Sequence, residues 1–278
     1  MRYGLFLGGL LALLGVHESV AGVVVTGTQT NLSTRQTNPL TAYIEADRLK
    51  VVMPDVTVIY RGDLNRMWAI QNGRQTYNEI TAETMQQMGS QLASAQSQMA
   101  AAQAQLQAGL AQMSPEQRAM IERMLAGRGI GAAGLGGPPG PPQVAYTRSG
   151  VKTVSGWACD QFRKTVNGAQ QEDLCVARLT ATGLRADDFQ VLDRVSAFVQ
   201  PIASSPLMPQ TDLLGWTEMT RAIGYQGIPI ETVIYGGGAP ASQQTVSKIE
   251  RTAIPANAFD LPTGLTKQDL SGIARGLR

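Results

Sequence analysis

From Ala82 to Met113 the chain abandons every β-type pattern and becomes rich in Ala, Gln and Met, with Glu83 its one charged residue and no proline. Any sheet built by the flanking segments must therefore accommodate a long helix inserted between its strands. Met85, Met88, Leu92, Ala95, Met99, Ala102, Leu106, Leu110 and Met113 recur at threes and fours, the spacing of an apolar seam on one helix face. Such a helix extends about 48 Å at ~1.5 Å per residue. Ser114 is placed to cap a second helix, with Pro115 in its first turn and Gln117 at the capping-box position. Met120, Ile121, Met124 and Leu125 form that helix's apolar stripe. Residues 127–143 (GRGIGAAGLGGPPGPPQ) are punctuated by Gly and Pro and read as a flexible connection. The expected organisation is one α+β domain over 22–278, with a helical insertion at 82–126 and a Gly/Pro-rich linker at 127–143.

On both sides of the insertion the chain is strand-like. Val23–Thr28, Ala42–Met53, Val56–Arg61, Arg66–Gln71 and Arg74–Ile80 carry β-branched and aromatic residues between turn signals. Asn72-Gly73 predicts a two-residue type I′ hairpin, in which Trp68 faces Tyr77 as a cross-strand pair. After the linker, Val151–Lys164 and Ala169–Leu179 flank Asn167-Gly168. A three-residue loop with Gly168 in the left-handed region places Cys159 directly opposite Cys175, where Cα atoms ~5.5 Å apart suit a disulfide. Leu184–Val199 reads as a helix with Asp187 and Asp188 in its first turn, Phe189, Leu192, Val195, Phe198 and Val199 on one side, and Pro201 as its end. A shorter helix over 212–223 includes Trp216. Strands Pro229–Tyr235 and Gln243–Thr252 follow, joined by the turn Gly236–Ala239.

The first 21 residues read as an export signal: basic at Arg2, apolar from Gly4 to Val16, with small residues at Ser19 and Ala21. Their apolar run is shorter than the ~20 residues a membrane span needs. Cleavage between Ala21 and Gly22 leaves a mature chain of 257 residues without a transmembrane segment and without His17, the single histidine. A soluble exported protein, periplasmic in the simplest case, is expected. Losing the imidazole removes the usual general base and every histidine-dependent triad. An oxidising compartment favours a structural disulfide between Cys159 and Cys175, the two cysteines of the chain. The net charge of +2 and aromatic content of 5% give neither the basic face nor the stacking platform of a nucleic-acid binder.

Each candidate motif has a plainer reading beside it. Gly129-Ile130-Gly131-Ala132-Ala133-Gly134 spells G-x-G-x-x-G, yet it leaves a helix and runs into Gly-Gly-Pro-Pro, whereas a dinucleotide fingerprint leaves a strand and opens a helix. Six methionines between Met85 and Met124 offer thioethers to Cu(I), but their helical spacing is what a packing seam requires. Asp187 and Asp188 complement a helix dipole. Glu172 and Asp173 fall on opposite faces of one strand and read as solvent charges. No G-x-S-x-G elbow marks a serine nucleophile, although a Ser–Lys arrangement in space stays open. No catalytic residue, metal ligand or cofactor is assigned.

Val154-Ser155-Gly156-Trp157-Ala158-Cys159, Leu174-Cys175-Val176-Ala177, Leu184 to Phe189, Gly227-Ile228-Pro229-Ile230 and Ile254-Pro255-Ala256-Asn257-Ala258-Phe259 with Pro262 and Gly264 follow one another in order. This series resembles an uncharacterised family of secreted bacterial proteins that carries only a domain-of-unknown-function label, over most of residues 40–265. More distantly the layout is similar to the lipoprotein-localisation factors LolA and LolB. That likeness implies a curved antiparallel sheet, a half-barrel, with helices on one face and an apolar cavity that takes acyl chains. The expected function is non-enzymatic binding of an apolar ligand, lipid or lipidated protein in a sheet-and-helix cavity, with Trp68, Trp157, Phe189, Phe198 and Trp216 as candidate lining residues. The alternative is a structural or interaction component of the cell envelope that docks a partner helix on the Ala/Gln/Met-rich helix.

Overall fold

A computed structural model describes residues 21–111, 114, 143–203, 219–220 and 222–268. The signal segment with His17, the second helix at 115–126, the linker at 127–142 and Trp216 lie outside the described residues. Twelve described strands form one curved, unclosed sheet. They are β1 (Ala21–Asn31), β2 (Thr37–Ile44), β3 (Arg48–Val52), β4 (Val56–Arg61), β5 (Arg66–Gln71), β6 (Thr76–Thr81), β7 (Val144–Val154), β8 (Trp157–Val166), β9 (Ala169–Arg178), β10 (Gly227–Gly236), β11 (Ala239–Ala253) and β12 (Thr266–Gln268). Their order is β12-β6-β5-β4-β3-β2-β1-β11-β10-β9-β8-β7, antiparallel throughout except for the β12–β6 pair at one edge. β1 therefore joins a meander before the insertion to a meander after it. The helices are α1 (Ala82–Ala111), α2 (Leu179–Thr182) and α3 (Gln190–Ala203), the last entered through a 3₁₀ turn at Ala186–Phe189. The α+β class, the curved antiparallel sheet and the helical insertion agree with the sequence reading.

Strand alternation gives the sheet two unlike faces. On one, Val23, Ile44, Leu49, Tyr60, Met67 and Ile80 stand opposite one another in a single row across β1 to β6. Met85 of α1 and Phe189, Val191, Val195 and Phe198 from the α3 region cover that row. Phe198 meets Tyr60 edge-on at 5.4 Å between ring centroids. On the other face Ile59, Trp68 and Ile70 are covered by the last irregular segment, which drives Phe259 to complete burial. Burying one such phenylalanine contributes about 2–3 kcal/mol. Lys50 Nζ holds the segment by donating to the Ala258 carbonyl at 2.9 Å, and burial lowers the pKa of this amine.

α1 packs the first part of its seam against α3. Met85 is buried and Met88 and Leu92 are half-buried, whereas Met99 and every described side chain from Ala101 onward are exposed. At Gly89 the two helices approach so closely that a Cβ there would lie 2.7 Å from the Pro201 carbonyl oxygen. Pro201 does not end the helix as expected; it sits inside the last turn, which runs on to Ala203. So near the C-terminus its missing N–H forfeits a single helical hydrogen bond.

Several local expectations are corrected. The Asn72-Gly73 hairpin closes with a four-residue turn, Gln75 taking the left-handed conformation, so that Trp68 stands opposite Glu79 and Tyr77 opposite Ile70. Asn72 is engaged elsewhere: its amide donates to the Met53 and Pro54 carbonyls at 2.8 and 3.0 Å and accepts from Thr57 Oγ1 at 3.1 Å. The 42–53 run divides into β2 and β3 at a bend where the Glu45 N–H meets the Arg48 carbonyl. The 151–164 run divides into β7 and β8 at Ser155-Gly156, both with positive φ. Asn167-Gly168 forms a two-residue loop, and a bulge after Lys164 shifts the register. Cys175 therefore faces Gln161, and the Cys159–Cys175 disulfide links diagonal neighbours with Cα atoms 5.3 Å apart.

Candidate functional site: an apolar cavity at a bulged seam of the sheet

Ile228, Pro229, Ile230 and Thr232 are the residues around which the candidate site is built. β10 is an interior strand, where a proline is tolerated only at an irregularity because it has no N–H to donate. The irregularity is present: Ile228 faces Ala177 of β9 and Thr232 faces Leu174, so four steps along β10 match three along β9. A second bulge lies one strand further on, where Thr26 and Gly27 of β1 face Lys248 and Val246 of β11. Gly27 is required there, because a Cβ would lie 2.4 Å from the Thr245 carbonyl oxygen. Bulges increase local twist and bend the bulged strand. Beside these two bulges, one in β10 and one in β11, lies a half-enclosed cavity of about 210 Å³ on the helix-covered side.

Val25 and Ile44 form its floor, Ile228 and Ile230 one wall, and Phe189 and Leu192 the helical side. Its polar end is made by Thr232 and Gln244, which face each other across β10 and β11. Thr232 is 5% exposed. No Asp, Glu, Lys, Arg, His, Tyr or Cys is among the described residues lining the cavity. Glu231, the neighbour of Thr232 along the strand, is held by Lys152 and by Gln243 at 3.0 Å.

The ionisable clusters of the molecule lie outside this cavity. Asp160 accepts hydrogen bonds from the Tyr225 hydroxyl and from Arg148, with Arg178 3.7 Å away. The Tyr225 hydrogen bond, then Arg148, lowers the Asp160 pKa. Burial, reinforced by Asp160, pushes Tyr225 up to about 12. Glu172 is no solvent charge: it and Lys164 are both buried, as a pair 3.4 Å apart. Among the described residues no group of three His, Cys, Asp or Glu side chains is placed to hold a metal ion. No described helix is long and apolar enough to cross a membrane.

The four described aromatic residues singled out in the sequence, Trp68, Trp157, Phe189 and Phe198, do not converge. Phe189 is in the cavity wall. Phe198 packs further along α3 on Tyr60, and Trp157 is half-buried against the same core. Trp68 is on the opposite face, beneath the C-terminal segment. Ala21 and Gly22, at the expected cleavage point, open β1 and pair with Ala253 and Thr252. Ile228, Ile230, Thr232 and Gln244 were missed as site residues. The available signal was Gly227-Ile228-Pro229-Ile230: alternation that sends both isoleucines to one side, with a proline marking a bulge.

No family model matches the chain, and no curated protein matches it. Its resemblance to the uncharacterised secreted family accordingly remains one of motifs. Among solved structures it is similar to an uncharacterized conserved protein from Thermus thermophilus, with 8% identity, a TM-score of 0.41, and coverage of 91% of this chain and 93% of that one. It is also similar to a chain of the MucA/MucB complex of Pseudomonas aeruginosa, with 8% identity, a TM-score of 0.38, and coverage of 89% of this chain and 58% of that one. A third is PNGF-II, with 7% identity, a TM-score of 0.37, and coverage of 92% of this chain and 32% of that one.

Proposed function

We propose that this is a non-enzymatic exported protein, periplasmic in location, that holds an apolar chain from a lipid or a lipidated partner in the cavity between sheet and α3. The observation that carries this reading is an open, apolar cavity with no ionisable group among the described residues of its lining. An enzyme needs a group that moves protons, attacks or coordinates at its site, and the cavity supplies greasy walls instead. Its volume sets the size of the occupant. At ~30 Å³ per water-sized group, it holds about seven such groups, below the ~300–1,000 Å³ of pockets that enclose drug-sized ligands. That suits one aliphatic chain and leaves the rest of a larger molecule outside. Burying about six methylene groups at ~0.8 kcal/mol each gains about 5 kcal/mol, and the cost of association then makes the dissociation constant weaker than ~0.2 mM.

The test is titration of the mature chain, residues 22–278, with the uncharged probe N-phenyl-1-naphthylamine, whose six-carbon phenyl ring is of the size the cavity admits and whose fluorescence rises in apolar surroundings. Saturable enhancement is expected for the wild type. Leu192→Trp, which fills the cavity from α3, should weaken it at least tenfold with the near-UV circular dichroism of the fold retained. Equal binding by wild type and variant, or none by either, overturns the proposal.

A second reading has an observation of its own. Past Ala100 the described α1 side chains, Ala102 of the seam among them, are exposed, which suits a docking arm for a partner helix. Replacing residues 101–142 by a short Gly/Ser link should leave probe binding intact and abolish capture of the partner if this arm is the docking element. Loss of probe binding on that deletion would count against the division of labour.

A further inference from the structure

The same cavity carries information about the end of the chain it takes, and this inference rests on reading it as a binding site. We propose that the cavity selects a single aliphatic chain terminated by an uncharged hydrogen-bonding group, such as a primary amide or a hydroxyl, and rejects the free carboxylate. Thr232 is 5% exposed and lines the cavity, and its hydroxyl makes no hydrogen bond among the described residues. The Gln244 side-chain amide, its cross-strand partner at the same end, makes none either. Neither group is among the sealed, unpartnered polar atoms of the described chain; both stay open to the cavity and can bond a polar group that enters with the chain.

The donor and acceptor inventory defines that ligand. A threonine hydroxyl offers one donor and two acceptor sites, and a glutamine amide two donors and one carbonyl acceptor. Together they complement a group that both gives and accepts hydrogen bonds while carrying no charge. A carboxylate entering here would lose its hydration with no cation to replace it, because the described lining holds no Lys, Arg or His. Lys152, the cation next along the sheet, is already taken by Glu231. An ammonium fares no better, since no Asp or Glu is among the described lining residues. The volume of about 210 Å³ limits the chain to roughly six to eight carbons inside the protein.

The experiment is a calorimetric titration of residues 22–278 at pH 7 with octanamide, 1-octanol and octanoate, using N-phenyl-1-naphthylamine as the neutral reference. Octanamide and octanol are expected to bind at least tenfold more tightly than octanoate. Thr232→Val keeps the shape of the side chain and removes its hydroxyl. It should weaken octanamide several-fold more than it weakens the reference probe, and preserve the near-UV circular dichroism. Octanoate binding as tightly as octanamide overturns head-group selection while the binding site stands, provided the probe still binds. Octanamide affinity unchanged by Thr232→Val, or octanamide failing to bind where the probe does, overturns it in the same way. If neither the probe nor any of the three ligands binds, the cavity is not a binding site and both readings fall.

Discussion

Tyr225 and Asp160 carry the most strongly shaped electrostatics in the described chain. The tyrosine donates its single proton to the carboxylate, the Val176 carbonyl lies 3.3 Å from the same hydroxyl, and the Arg178 guanidinium lies over its ring at 5.0 Å. A group whose folded pKa is raised stabilises the fold fully below its unfolded value and loses that contribution as pH rises through the folded value. For Tyr225 the window runs from its ordinary 10.0 up to about 12. Asp160, whose pKa is lowered, acts in the opposite sense: its contribution is complete above the ordinary carboxylate range and disappears as pH falls through the depressed value. Tyr225→Phe should lower stability at pH 7 by about 1–2 kcal/mol, the lower part of the range for a hydrogen bond to a charged group. It should also flatten the loss of stability between pH 10 and pH 12, which urea unfolding at a series of pH values would measure. An unaltered alkaline limb in the variant would assign that limb to other groups. At this scale the sequence was read unevenly. Alternation placed Glu172 and Asp173 on opposite faces, but it could not reveal that the side bearing Glu172 is buried with Lys164 beneath it.

At the level of elements, local chemistry was legible where the partner was local. β4 and β5 have the bounds read from their β-branched runs, and α1 begins at Ala82 as its composition change requires. The misreadings arose where a distant contact overrode a local signal. Asn72 is the clearest: Asn-Gly favours a two-residue turn, but its side chain is bound to the carbonyls of the preceding turn and the hairpin opens by two residues. A two-residue shift preserves the face, so Trp68, Ile70 and Tyr77 still pack together. The contact between Gly89 and Pro201 was equally invisible, because it joins residues far apart in the chain. Gly89→Val should force α1 away from α3 and cost about 1–3 kcal/mol by overpacking, measured as a lower urea midpoint at constant slope. The disulfide acts within one hairpin, its cysteines separated by 16 residues. Replacing both by alanine should cost about 2–3 kcal/mol, close to the ~3 kcal/mol expected for a 15-residue loop, and reductant should reproduce the effect in the wild type.

Over the whole molecule, the two faces of one sheet do different work. The face carrying Ile59 and Ile70 is sealed by the C-terminal segment around Phe259. The other face packs against the start of α1 and against α3, and at the bulged seam beside β11 it carries the apolar cavity. An α+β fold with a curved sheet and a helical insertion could be read from strand signals and the 82–113 run. The cavity could not, because it depends on how β9, β10, β11 and β1 are registered against one another, and register between distant strands is fixed only on folding. The decisive measurement is methyl NMR on residues 22–278 with labelled isoleucine and leucine, titrated with octanamide. Saturable shifts at the Ile228, Ile230 and Leu192 methyls, with Ile59 and Ile70 unmoved, are the predicted result. Shifts at Ile59 and Ile70 instead, or none at the cavity methyls at saturating ligand, would contradict the account.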